Sequence, residues 1–308
     1  MRRRPENPLL RYQLFGFTLN RWKRQPWLYG GVAVGGGLTY LLVLLLVISE
    51  DAPYTVALQL CLFVMCLAAP LMAYHLFSTE YEKQTWESLA LTRLTAWEIL
   101  WGKWGAALAR VALLTLLALP ILFFNKDLHI NLVSPFRGRF ITILEPTHDL
   151  YVLAAGVSLL FCWGVLLVSL GMWLSFLLKR TLTTASALYA GQVFALALMP
   201  ILYLMFSEGE TGTQLISTIT NYWEGFAWWG YSLFTAQAIL ALNPFWAANE
   251  LNAIYHAWET TSWNRTDPLY PEGLIYLNWG FAQSALYLAL ALLFAGLTYR
   301  RLKHVWRK

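Results

Sequence analysis

Charged and hydroxyl side chains crowd between residues 79 and 103, where Thr79, Glu80, Glu82, Lys83, Thr85, Glu87, Arg93, Thr95, Glu98 and Lys103 interleave with Trp86 and Leu89. That pattern suits helix capping and polar docking. Thr79 with Glu82, and Thr95 with Glu98, have the spacing of two capping boxes. In a capping box the Thr hydroxyl takes the amide three residues on, and the Glu reaches back to the Thr amide. The spacing predicts a helix, a break near residues 92–95, and a second helix that runs on into an apolar stretch. Between the boxes, the piece around Trp86, Leu89 and Ala90 is too short and too charged to cross a membrane, yet apolar enough to dock. It reads either as a contact for a soluble partner or as an ordinary interfacial helix.

Other reactive residues do not assemble into a known site. Gly102-Lys103 is followed by Trp104 and lacks the upstream glycine, so it is no phosphate loop. His129, His148, Asp149 and His256 fall in gaps between apolar runs, with neither a H-E-x-x-H nor a G-x-S-x-G pattern. A hydrolase built on them is the enzyme alternative. Cys61, Cys66 and Cys162 sit inside apolar runs, without zinc-site or disulfide spacing, and read as small core residues.

The elements that carry these residues are transmembrane helices. Of 308 residues, 58% are hydrophobic and 13% charged, and the mean hydropathy is +0.50; soluble domains carry about 25% charged residues. The apolar runs are continuous rather than alternating, which favours helices over a barrel. Six runs reach the roughly 20 residues needed to span a bilayer, near 28–48, 55–77, 104–124, 151–178, 184–206 and 274–298. Pro70, Pro120 and Pro200 lie inside three of them, where neighbouring helices must satisfy the freed carbonyls. The excess of basic residues does not point to nucleic acid, because Lys and Arg flank the apolar runs, where they report topology and contact with anionic lipid. Residues 1–27, 78–103, 179–180 and 299–308 hold 17 of the 22 Lys and Arg. The positive-inside rule then places both termini in the cytoplasm.

Residues 223–242 read as an interfacial or re-entrant outer helix, with a seventh span as the alternative. The stretch 7–24 reads as an interfacial helix ahead of the first span. Arg110, two turns into the third span, reads as the one clear intramembrane charge, suited to snorkelling or an interhelical bond. Gly31 and Gly35, followed by Gly36 and Gly37, form a small-residue face in the first span, for a dimer contact, an internal contact or plain flexibility. Asn243-Pro244-Phe245-Trp246 reads as a bend inside the acidic outer segment 207–273.

The loop 79–103 resembles the corresponding loop of ABC-2-type permeases, the membrane subunits of a class of ATP-driven exporters. Glu80, Glu82, Thr85, Glu87, Leu89, Thr92, Glu98, Ile99, Gly102 and Lys103 match that family's pattern, while Arg93 stands where many members have proline. The early Asn7-Pro8-Leu9-Leu10-Arg11 is similar to many members' N-termini. The resemblance implies an all-α membrane protein: residues 1–27 as a cytoplasmic interfacial helix, then 28–308 as one six-helix domain with a coupling helix between helices 2 and 3. It implies that Glu80, Glu82, Thr85, Trp86, Glu87, Leu89 and Arg93 contact or brace a separate ATPase subunit, and that Glu98, Gly102 and Lys103 mark the start of the third span. ATP and magnesium would then be bound by that subunit and no cofactor by this chain. The chain would pair with itself or another permease chain in a cytoplasmic membrane such as the bacterial inner membrane. An ion-coupled carrier or channel, and a non-transporting scaffold, are the alternatives; an ion-coupled carrier requires buried ionisable residues beyond Arg110.

Overall fold

A computed structural model describes residues 26–49, 54–85, 94–123, 149–198, 243–245, 247–249, 251 and 271–306. Among them lie helices α1 (Pro26–Ser49), α2 (Tyr54–Ala73), the short α3 (Ser78–Glu82), α4 (Ala96–Phe123), α5 (Asp149–Leu178), α6 (Thr181–Val193) and α7 (Pro271–Trp306), and no strand. A π-helical turn, Phe194–Leu198, continues α6. Four helical stretches are long and apolar enough to cross a membrane: Tyr54–Glu82, Ala96–Phe123, Val152–Leu178 and Phe281–Val305. In the 24-residue α1, the stretch Val34–Leu45 is apolar. The stretches 7–24 and 223–242, and the last part of the expected span 184–206, lie outside the described residues.

Apolar all round its circumference, α5 is the central helix, as that composition requires. It packs against α2, α4, α6 and, most extensively, α7. Between Val152 and Leu178 its most apolar window is 72% buried, against 33% for those of α4 and α7. The outer helices turn leucines away from the core: Leu113 and Leu116 on α4, Leu292 and Leu293 on α7, each more than half exposed. Such faces suit lipid, in which an apolar side chain loses nothing by remaining outside the bundle.

Three glycines let α5 come close to its neighbours. A Cβ at Gly156 would lie 2.1 Å from the Tyr54 hydroxyl, one at Gly164 would lie 2.7 Å from Val111 Cγ1 and 2.8 Å from Met65 Sδ, and one at Gly171 would lie 2.5 Å from Ala73 Cβ. The glycines singled out from the sequence behave differently. Gly35, Gly36 and Gly37 have nothing within 4 Å of an added Cβ, so no described helix approaches them. Gly171→Ala should destabilise the chain by about 1–3 kcal/mol, the usual range for overpacking. Gly164→Ala should cost less, because it meets side-chain ends, Val111 Cγ1 and the flexible Met65, whereas Gly171 meets the Ala73 Cβ, which is fixed to its backbone. Thermal melting of the detergent-solubilised variants checks the order.

Pro70 and Pro120, inside α2 and α4, have similar surroundings. Proline removes a helical donor and crowds the preceding turn. Three residues before Pro70, the Leu67 carbonyl accepts the Tyr189 hydroxyl of α6 at 2.8 Å. Three residues before Pro120, the Leu117 carbonyl accepts the Tyr40 hydroxyl of α1 at 2.9 Å. In each case a tyrosine of a neighbouring helix bonds the carbonyl next to the one, Cys66 or Leu116, that the missing proline N–H leaves free.

At one end of the bundle, Tyr54 donates to the Val152 carbonyl at 3.2 Å, and Ser158 and Ser284 pair at 3.1 Å. Residues 243–251 pack here. Phe245 N–H donates to Asn243 Oδ1 at 3.0 Å and Ala247 N–H to the Asn243 carbonyl at 3.1 Å, so Asn243 starts a helical turn, and Ala247, Ala248 and Leu251 are buried in the core; Trp246 and the residues just before Asn243 lie outside the described residues. Gln59 Nε2 donates to Asn249 Oδ1 at 2.7 Å. The other end gathers residues 74–85, the start of α4, the α5–α6 turn and the end of α7. The described parts of the basic gaps 78–103, 179–180 and 299–306 therefore meet at one end of the helices.

Candidate functional site

The described part of loop 78–103 forms an elbow fixed to three helices. Ser175 Oγ of α5 accepts the backbone N–H of Phe77 at 2.9 Å and of Ser78 at 2.8 Å. Those amides would otherwise be orphaned at the start of α3. Ser175 and Ser78 are both fully buried.

The first capping box does not form, because α3 starts at Ser78 and Thr79 lies inside it rather than at its N-cap. The N-cap is Phe77, with no side-chain cap of its own; Ser175 from another helix takes the Phe77 and Ser78 amides instead. Glu82 is thereby released and turns to α6. The Thr181 N–H donates to Glu82 Oε1 at 2.7 Å and the Thr181 hydroxyl donates at 2.9 Å. Arg180, the N-cap residue of α6, offers no side-chain cap. Glu82 thus caps a helix 99 residues away in sequence, with its negative charge at the positive end of the helix dipole. The second capping box forms as expected. Thr95 N–H donates to Glu98 Oε2 at 2.8 Å, and Glu98 N–H donates to Thr95 Oγ1 at 3.3 Å.

Lys103 corrects a second expectation. Rather than only marking the start of a span, it is 1% exposed and points inward. Its ammonium donates to the Leu76 carbonyl and to Glu80 Oε1, and lies 4.7 Å from the centroid of the Phe77 ring. The second carboxylate oxygen of Glu80 is buried without a hydrogen-bond partner. Arg110, expected to be the one intramembrane charge, is half-buried on α4; the more deeply buried cation is Lys103. No spacing in the sequence pairs Glu80 with Lys103, since only the fold of residues 76–80 against α4 does so. Gly102 is buried beside Lys103.

Further contacts hold the elbow. Trp104 Nε1 donates to Ser169 Oγ of α5 at 3.0 Å. Lys179 ends α5 in the left-handed region at φ 57°, as does Gln84 in the elbow at φ 54°. The Lys179 ammonium lies 5.2 Å from the Tyr81 ring centroid. Thr85 N–H donates to the Glu80 carbonyl at 3.0 Å. Trp86, Glu87, Leu89 and Arg93 lie outside the described residues.

Sequence reasoning also passed over Gln283, buried on α7 with neither end of its amide hydrogen-bonded. Cys61 and Cys66 are buried as expected, and Cys66 Sγ accepts Trp163 Nε1 at 3.2 Å. Among the described residues, no three His, Cys, Asp or Glu lie together as a metal site requires. His129, His148 and His256 lie outside them.

Among the described residues, the regular structure is helical throughout, with four candidate membrane spans, the character of an integral membrane protein. No protein-family model matches it, and no curated protein matches it significantly.

Proposed function

We propose that this chain is the membrane-spanning permease subunit of an ABC-2-type transporter, most simply an exporter. It would have six spans and cytoplasmic termini, and would pair with itself or a second permease chain. ATP and magnesium would be bound by a separate ATPase subunit. The observation that carries this reading is the elbow. Residues 76–85 are bonded to α4 through Lys103, to α5 through Ser175 and to α6 through Thr181. Residues 86–93 follow directly, so a push on them reaches three helices through hydrogen bonds and an ion pair. A soluble motor acting on spans needs such a rigid connection, because coupling requires an element whose equilibrium both sites bias.

A second reading, an ion-coupled carrier, draws on the buried Lys103–Glu80 pair, since buried ionisable groups mark many ion pathways. One experiment separates the two. The chain is purified from its native membrane in mild detergent and assayed for ATPase activity. A stoichiometric soluble subunit carrying a phosphate loop is expected, with its association weakened by Glu87→Ala or Trp86→Ala. Unchanged co-purification and activity in both variants would remove the coupling assignment. Gradient-driven transport by the chain alone, in vesicles without ATP, would favour the carrier.

A further inference from the structure

The end of α7 carries a surface that the transport reading does not use. Ala289, Leu292, Leu293, Gly296, Arg300 and Lys303 are all exposed. At 100° per residue they share one helix face. Leu292 and Leu293 are 54% and 53% exposed. Gly296 has nothing within 4 Å of where a Cβ would sit, so the stripe has a notch between its leucines and its cations. The one ion pair among the described residues is Lys103–Glu80, so neither Arg300 nor Lys303 is paired with a described carboxylate.

Beside this stripe stands a cluster of aromatic rings. Trp97 and Trp101, both substantially exposed, stack with centroids 5.9 Å apart and planes 14° apart. Tyr299 meets the Trp97 ring edge-on at 5.6 Å. Along the helix axis the order is therefore leucines, then aromatic rings, then cations, with Lys303 about 6 Å beyond Tyr299 at the α-helical rise. A phospholipid presents the same order: acyl chains, the interfacial zone that favours Trp and Tyr, and phosphate.

We propose that this stripe binds one anionic phospholipid of the leaflet it faces, with the phosphate on Arg300 and Lys303 and an acyl chain laid along Leu292 and Leu293 through the Gly296 notch. Arginine's planar donors fit phosphate oxygens in pairs, and lysine adds a point charge. Net negative charge on the lipid matters, because a zwitterionic headgroup offers its phosphate together with a competing cation. In the topology proposed above, the leaflet is the cytoplasmic one, which is the anionic one. The site requires only that the chain sit in a bilayer, so it stands or falls independently of the permease reading.

Native mass spectrometry of the full chain in mild detergent tests this, with dioleoylphosphatidylglycerol and dioleoylphosphatidylcholine as the probes. The wild type is expected to retain phosphatidylglycerol roughly tenfold more tightly than phosphatidylcholine, a conservative figure for two cations at an anionic headgroup. Arg300→Gln with Lys303→Gln should abolish that preference, whereas Arg301→Gln, a quarter-turn round the helix, should largely keep it. Gly296→Leu fills the notch without touching charge and should weaken retention of both lipids. Equal retention of the two lipids by the wild type, or an undiminished preference in the double variant, would overturn the proposal. Displacement of phosphatidylglycerol by millimolar inorganic phosphate would also overturn it, by making this a free-anion site. Unchanged retention in Gly296→Leu would remove the acyl groove.

Discussion

Lys103→Met is expected to destabilise the folded chain by about 3 kcal/mol, the lower part of the range for breaking a buried ion pair from one side. The lower part applies because Glu80 keeps 21% of its side chain exposed, so water screens some of the charge left behind. The loss still exceeds that of an ordinary polar substitution for three reasons. The Leu76 carbonyl loses its lysine donor, the Phe77 ring loses its cation, and the Glu80 carboxylate, already with one oxygen unsatisfied, loses its counter-charge. A buried charge without its partner costs far more than the pair contributed. Glu80→Gln combined with Lys103→Met should therefore recover most of the stability, because both charges are gone and methionine fills the slot. Thermal melts of the three variants in one detergent measure this. A Lys103→Met protein that melts with the wild type would show that the pair is not buried in the folded chain, and would remove it from both functional readings.

Glu82→Ala is the change expected to separate the elbow from α6. The local cost is modest, about 1 kcal/mol for a lost N-cap. The larger effect is on communication. With the carboxylate gone, the Thr181 amide and hydroxyl lose their Glu82 acceptor, and no elbow side chain then holds the first turn of α6. In the proposed complex with an ATPase subunit, ATP should change the labelling rate of a cysteine placed at Leu182, which is 81% exposed at the start of α6. Glu82→Ala should shrink that ATP-dependent change by about tenfold, within the usual range of coupling energies, while ATP hydrolysis stays within about twofold. Glu82→Gln should retain part of the response, since its amide oxygen still accepts from Thr181. A full response in Glu82→Ala would show that motion reaches α6 through the spans alone, without this strut.

Several features were legible because they depend on short-range sequence. Thr95 and Glu98 form their box because a capping box needs only one turn of helix and no other element. Thr79 and Glu82 have the same spacing and do not, because the helix starts earlier, at Ser78, where Ser175, distant in sequence, holds the Phe77 and Ser78 amides, and Thr79 falls inside it. Identical local patterns thus parted ways on a tertiary contact. The prolines behave comparably. That Pro70 and Pro120 disturb the preceding turn followed from proline's missing donor, but that tyrosine hydroxyls of α6 and α1 bond carbonyls in those turns depended on where α1 and α6 pack. Among the glycines, the run at 35–37 drew notice by its density. The close approaches fall instead at Gly156, Gly164 and Gly171, separated by seven or eight residues and visible only once α5 is known to be central.

The sequence by itself determined that long apolar helices would form and, for the four described stretches able to cross a membrane, roughly where they lie. These outcomes follow from hydrophobic length and from the need of every backbone group in lipid to pair within its own helix. Tertiary structure alone decided that Lys103 turns inward to Glu80, that Glu82 caps α6, and that Gln283 is buried with its amide unpaired. Each depends on which helix faces which, and in an apolar chain nearly every helix face satisfies the hydrophobic pattern equally well. Helix partners are then chosen by small residues that permit close approach and by a few polar groups seeking acceptors, and neither leaves a periodic mark in the sequence.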